Sequence, residues 1–137
     1  MPYAILDASV YIGHWEQGLY GPVLEQIRRR LIVRQSSVVL SELHRGAKTK
    51  EALKLVEYLY KLAKPCWVPD EKDWWTGGKI LRQLTIRHGW DARRIRDLQN
   101  DVLIALTARK YGAVLITANQ RDFELLRRYV RFTAVYV

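Results

Sequence analysis

Short apolar runs alternate along this chain with stretches in which apolar residues recur at helical spacing. Tyr3 to Leu6 is a run of four ending in Asp7, the mark of a buried strand. Gly18 and Gly21-Pro22 break the chain, and Val23, Leu24 and Ile27 then follow helical spacing up to Arg30, before a β-prone Leu31-Ile32-Val33. Ser36-Ser37 is placed to cap a helix carrying Val38, Val39, Leu40, Leu43 and Ala47. Leu53, Val56, Leu59 and Tyr60 predict an amphipathic helix over Glu51 to Leu62, stopped by Pro65. Cys66-Trp67-Val68-Pro69 predicts a short strand, and Asp70 opens a helix running through Ile80, Leu81 and Leu84 towards Gly89.

The C-terminal third carries the clearest pattern. Asp97 to Tyr111 predicts a helix with Leu98, Val102, Leu103, Ala105, Leu106 and Ala108, ended by Gly112 as a C′ glycine. Ala113 to Thr117 is a continuous buried-strand run, Asn119 caps a helix holding Phe123, Leu125 and Leu126, and Phe132 to Val137 closes as a strand. Strands alternating with helices imply a parallel sheet covered on both faces. In such sheets the functional crevice lies outside the carboxyl ends of the strands.

Those ends are where acids stand. Asp7 directly follows the first strand, Glu42 lies in a helix whose other face is apolar, and Asp101 interrupts the most hydrophobic helix of the chain. Asn119 and Asp122 follow the strand ending at Thr117. An unpaired carboxylate in apolar surroundings is costly, and a divalent cation offsets that cost. Mg²⁺ and Mn²⁺ suit such oxygen ligands. Each residue also has a plainer account. Asp7 and Asn119 serve equally as helix caps, Glu42 and Asp101 as parts of solvated helix faces, and Asp122 as an acid in a first turn. Their joint placement at one sheet edge is what points to a metal site.

Charge narrows the partners. Lys and Arg number 23 against 14 Asp and Glu, a net charge of +9, which favours a polyanion such as nucleic acid or an acidic protein. One cysteine, Cys66, and three histidines exclude a disulfide and fall short of a zinc site. His14, His44 and His88 share no spacing and read as surface residues. Trp74-Trp75 reads as an aromatic pair packed in a core or a dimer interface rather than stacked on bases. No Gly-rich phosphate loop or nucleophile motif is present. No basic segment precedes an apolar run at the start, and no run approaches the ~18 residues of a bilayer span, so the expectation is one cytoplasmic domain over residues 1–137 without membrane association.

Four blocks in order, Ile5-Leu6-Asp7-Ala8-Ser9-Val10, Val38 to Ala47 around Glu42, Asn100-Asp101 to Ala108, and Gly112 to Phe123, resemble the PIN domain, with the spacing of VapC-type toxins. The resemblance covers nearly the whole chain. It implies a three-layer α/β/α sandwich with a parallel sheet of four or five strands, and an acidic pocket binding Mg²⁺ or Mn²⁺ that cleaves RNA. Carried onto this sequence, it makes Asp7, Glu42 and Asp101 the metal-binding and catalytic acids. The fourth position falls to Asn119 or Asp122, and Ser9 and Thr117 line the pocket. Arg45 and Lys48, taken to lie on the Glu42 helix, are the candidates for holding the RNA backbone. The resemblance also implies a cognate antitoxin and a homodimer as partners. The rival within the family, an RNA-binding or antitoxin-interaction module without catalysis, would lack some of these acids. A haloacid-type phosphatase needs an acid where Ser9 stands, and a receiver domain needs an acid pair that is not evident.

Overall fold

A computed structural model describes residues 1–137. Four strands form one parallel sheet: β1 (Tyr3–Leu6), β2 (Ile32–Val33), β3 (Val114–Thr117) and β4 (Thr133–Tyr136), in the order β2-β1-β3-β4. Seven helices surround it: α1 (Ala8–Gln17), α2 (Gly21–Arg30), α3 (Ser37–Gly46), α4 (Lys50–Leu62), α5 (Glu71–His88), α6 (Ala92–Tyr111) and α7 (Gln120–Leu126). This is the α/β/α sandwich expected, with four strands rather than five.

Burial tracks strand position. Ala4, Ile5 and Leu6 of β1 and Leu115, Ile116 and Thr117 of β3 are buried, whereas edge strand β4 alternates between exposed and half-buried residues. The chain leaves β1 for β2 on one side and returns to β3 and β4 on the other. The seam between β1 and β3 is therefore the topological switch point, where open parallel sheets form their crevice. Leu6 pairs with Ile116, so Asp7 and Thr117 emerge side by side at the carboxyl end of that seam.

Helix α6 is the pillar of the core. Residues 101 to 108 are all buried, and α6 packs against β1, β3, α3, α5 and α7. Gly77 of α5 lies where a Cβ would meet Val102 Cγ1 at 3.4 Å, so the two helices approach closely there. Gly112 ends α6 at φ 61°, with its amide on the carbonyls of Ala108 and Arg109, as the pattern implied.

The stretch after Asp7, for which the pattern made no prediction, is helix α1, capped by the Asp7 side chain accepting from Ala8 N; its mixture of Val10, Tyr11, Ile12 and Gly13 hides the periodicity. Three expectations need correction. Helix α6 begins at Ala92 rather than near Asp97, capped by Asp91 accepting from Arg94 N. Cys66–Pro69 shrinks to a single bridge between Ser36 and Trp67, because Pro65 and Pro69 offer no amide to extend a ladder. Trp74 and Trp75 are 51% and 74% exposed, outside the core. No helix is long and apolar enough to cross a membrane.

Candidate active site

Asp7 is the hub of the switch-point crevice. One carboxylate oxygen caps α1, and the other accepts from Ser9 Oγ at 2.9 Å and Thr117 Oγ1 at 2.8 Å. The two hydroxyls are themselves used by the backbone: Ser9 Oγ accepts from Ala118 N and Thr117 Oγ1 from Asn119 N. Ser9 and Thr117 thus knit the loop after β3 to the start of α1, with Asp7 between them. The loop's next residue, Asn119, caps α7 and donates from Nδ2 to Asp101 at 3.5 Å and to Asp122 at 3.2 Å.

Helices bring in the other acids. α1 packs on α3 and α3 on α6, which sets Glu42 and Asp101 beside Asp7. Buried Asp101 faces the same space as Asp7, Glu42 and Asp122. Burial, reinforced by repulsion from those three and eased by Arg94, pushes its carboxyl up to about 8. Burial and the charge of Asp7 push Glu42 up to about 7 against the pull of Arg45. Burial raises Asp7 as well, although Thr117, Ser9 and nearby amides all donate to it. Three carboxylates that each resist ionisation in company are short of positive charge.

Asp122 is in a different state. Burial works against its charge, but hydrogen bonds from Arg94 and Asn119 and the charges of Arg94 and Arg121 outweigh it and hold Asp122 below the usual range. Arg94 Nη2 lies 2.6 Å from Asp122 Oδ1, and Asn119 takes Oδ2, so this carboxylate already has its partners. Arg94 escaped the sequence reading because the helix was started too late. With α6 begun at Asp91, Arg94 stands seven residues before Asp101, two turns away on the same face.

The structure gathers Asp7, Ser9, Glu42, Asp101, Thr117, Asn119 and Asp122 at one edge. Arg45 is exposed beside Glu42. Lys48 is not on the Glu42 helix: α3 ends at Gly46, Ala47 turns extended at ψ 112°, and Lys48 lies exposed in the following loop. His14, His44 and His88 are all exposed.

A divalent cation suits these residues. Glu42 Oε1 is buried without a hydrogen-bond partner, an orphaned oxygen that an ion or its water would satisfy. No three His, Cys, Asp or Glu side chains close into a finished cage. Mg²⁺ and Mn²⁺ take oxygen donors of this kind and keep part of their shell for waters and substrate phosphate.

An all-parallel α/β domain with carboxylates collected at its switch point defines a class of acidic-pocket folds. Within that class the PIN-domain model matches residues 4–129, and the chain belongs to the PIN-domain family. No curated protein sequence matches it significantly. Among solved structures it resembles VapBC-1 from nontypeable Haemophilus influenzae, at 20% identity and TM-score 0.71, over 98% of this chain and 97% of that one. VapBC2 from Rickettsia felis, bound to a DNA fragment from its promoter, matches at 21% identity and TM-score 0.68, over 98% of both chains. VapBC-5 from Mycobacterium tuberculosis, of the VapBC family of toxin-antitoxin systems, matches at 23% and 0.59, over 99% of this chain and 100% of that one. At these identities the likeness is one of fold.

Proposed function

We propose that this protein is a Mg²⁺- or Mn²⁺-dependent endoribonuclease that hydrolyses RNA phosphodiester bonds, and the toxin of a toxin–antitoxin pair. The observation that carries the reading is the trio Asp7, Glu42 and Asp101, packed at the switch point with raised pKa values and with no Lys or Arg ion-paired to any of them. PIN domains are generally nucleases, and the net charge of +9 suits a polyanionic substrate.

In this reading Asp7, Glu42 and Asp101 hold the ion. An ion held by these residues would supply the positive charge that activates a water and offsets charge on the scissile phosphate. Ser9 and Thr117 fix the rotamer of Asp7 so that its carboxylate stays aimed into the crevice. Asn119 joins Asp101 to Asp122 and keeps both in place, and Arg94 holds Asp122 from the far side. Asp122 therefore supports the fourth position through Asn119 or a water rather than from an open carboxylate. Arg45, exposed at the mouth beside Glu42, meets the RNA backbone, with Lys48 in the loop beyond it.

The toxin role draws on the VapBC folds that this chain resembles, and on an apolar groove able to take an antitoxin segment. Trp15, Leu24, Ile27, Leu55 and Leu59 line a cavity of about 420 Å³ between α1, α2 and α4. The exposed Trp74 and Trp75 offer a surface for the second copy of a homodimer.

The test is cleavage of a mixed RNA pool by purified protein in Mg²⁺, Mn²⁺ or EDTA, beside Asp7→Asn and Asp101→Asn. Metal-dependent cutting abolished by both substitutions supports the enzyme. Full activity in either folded variant removes the proposed site, and no cutting by folded wild type in either metal shifts the function to binding alone.

A further inference from the structure

Beside Asp122 lies a basic cleft between the start of α6 and α7. It encloses about 560 Å³ and is lined by Trp90, Arg94, Arg121, Arg127 and Arg128, with Asp122 and Glu124 in its floor. The two carboxylates are already matched, Asp122 by Arg94 at 2.6 Å and Glu124 by Arg127 at 3.2 Å. Arg121 and Arg128 make no ion pair and are exposed. The cleft thus carries two guanidinium groups outside any ion pair, Arg121 on α7 and Arg128 in the turn that follows it. Trp90 forms its apolar wall, stacked on His88 at 4.7 Å and with the Arg94 guanidinium 4.8 Å from its ring centroid.

The cleft is continuous with the candidate active site through shared residues. Arg94 and Asp122 line it, and Asp122 reaches Asp101 through Asn119. A strand whose scissile phosphate lies at the acids must leave the crevice on one side or the other, and only cations invite a phosphate chain. On this side the cations are in place.

We infer that the cleft of Trp90, Arg94, Arg121 and Arg128 is the track for the single-stranded RNA backbone leading from the acidic site, with Arg121 and Arg128 as its phosphate contacts. The inference deepens the ribonuclease reading and rests on it for the identity of the occupant. Guanidinium groups suit phosphate because their forked donors meet its oxygens in pairs. The indole wall suits a ribose or base, as in other single-strand grooves. The Arg94 side chain holds Asp122 and borders the track at once, so it is a positioning residue whose removal disturbs both binding and chemistry. Arg121 and Arg128 bond to none of the three acids, although the charge of Arg121 reaches Asp122, so their replacement reads binding more directly than that of Arg94.

The experiment is fluorescence anisotropy of an end-labelled single-stranded RNA of about ten nucleotides, titrated with the full chain in EDTA, where cleavage is off. Wild type is compared with Arg121→Gln/Arg128→Gln and with Arg30→Gln/Lys54→Gln, which removes the same charge from α2 and α4. Thermal melting of each variant checks the fold. The expected result is an affinity loss on the order of tenfold for the cleft variant, and a salt slope smaller by about 1.4, since each phosphate contact to a single strand contributes about 0.7. The α2/α4 variant stays near wild type.

Equal losses in the two variants would reduce the effect to net charge and overturn the track. Unchanged RNA affinity in the cleft variant overturns it as well, and if that variant has instead lost a poly-glutamate peptide, the cleft belongs to an acidic protein segment. A wild type that binds RNA through the cleft yet cuts nothing in Mg²⁺ or Mn²⁺ keeps the track and removes the ribonuclease. Wild-type cutting with indifference to Arg121 and Arg128 does the reverse.

Discussion

Asp101→Asn is the substitution whose consequences follow most directly from the structure, because it removes a charge that the metal-free fold holds at a cost. Asp101 is buried and its carboxyl is pushed from 3.8 to about 8. A carboxyl whose folded-state pKa lies above its unfolded value keeps its proton more firmly in the native state. That stability is fully present below about pH 4 and is lost as the pH rises towards 8. At pH 8 the shift corresponds to a ceiling of roughly 5 kcal/mol, at 1.36 kcal/mol per unit. Asp7 and Glu42 share the same repulsion, so a proton taken up by either relieves part of it, and the gain from neutralising Asp101 alone is about 2–3 kcal/mol. Asparagine keeps the shape and an oxygen for Asn119 Nδ2. Thermal melts in EDTA from pH 5 to 9 are the assay. The variant should melt about 8–12 °C above wild type at pH 8, with the difference narrowing as the pH falls and closing only towards pH 4. Added Mg²⁺ should raise wild type more than the variant. Equal melting at pH 8, with parallel pH dependence, would refute the claim that Asp101 is a strained charge awaiting a cation.

Substitutions at two further positions probe the scaffold. Thr117→Val removes the 2.8 Å hydrogen bond to Asp7, the strongest influence keeping that carboxyl low, so the acid limb of the pH–rate profile for RNA cleavage should move to higher pH; the metal-free fold should lose about 1–2 kcal/mol in urea titrations at pH 7. An unmoved acid limb would mean that Asp7 ionisation does not govern the rate. Gly77→Ala should be neutral or stabilising by up to about 1 kcal/mol, because its Cβ meets Val102 at 3.4 Å and the helix gains propensity, whereas Gly77→Leu should cost about 1–3 kcal/mol. Equal urea midpoints for the two variants would show that α5 and α6 have room to separate.

The acids were legible in the sequence because Asp7 and Asp101 interrupt apolar runs, and a carboxylate in such a place demands an explanation. The capping roles of Ser36, Asp70 and Asn119 and the C′ position of Gly112 were legible because each is set by local hydrogen bonding. Tertiary pairing was not. Arg94 and Asp122 are 28 residues apart, and nothing in either segment names the other. The first turns of α6 hold Arg93, Arg94 and Arg96 around a single Ile95, so they carry too few apolar positions to show a helical period. The exposure of Trp74 and Trp75 was hidden for a related reason: a pair of tryptophans reads as buried mass, and only the packing of α5 shows that Gly77, Ile80, Leu81 and Leu84 form its inward face instead.

The position of β1 has a bearing on how the chain is made. Asp7 precedes Thr117 by 110 residues, yet the strand before it lies between β2 and β3, and its carboxylate is clasped by that threonine. A growing chain therefore carries Asp7, Glu42 and even Asp101 without a formed crevice until β3 and the Asn119 loop have left the ribosome. The clasp on Asp7 therefore closes only once the C-terminal third of the domain has joined the sheet, so the crevice forms late in folding whatever the order in which its acids appear.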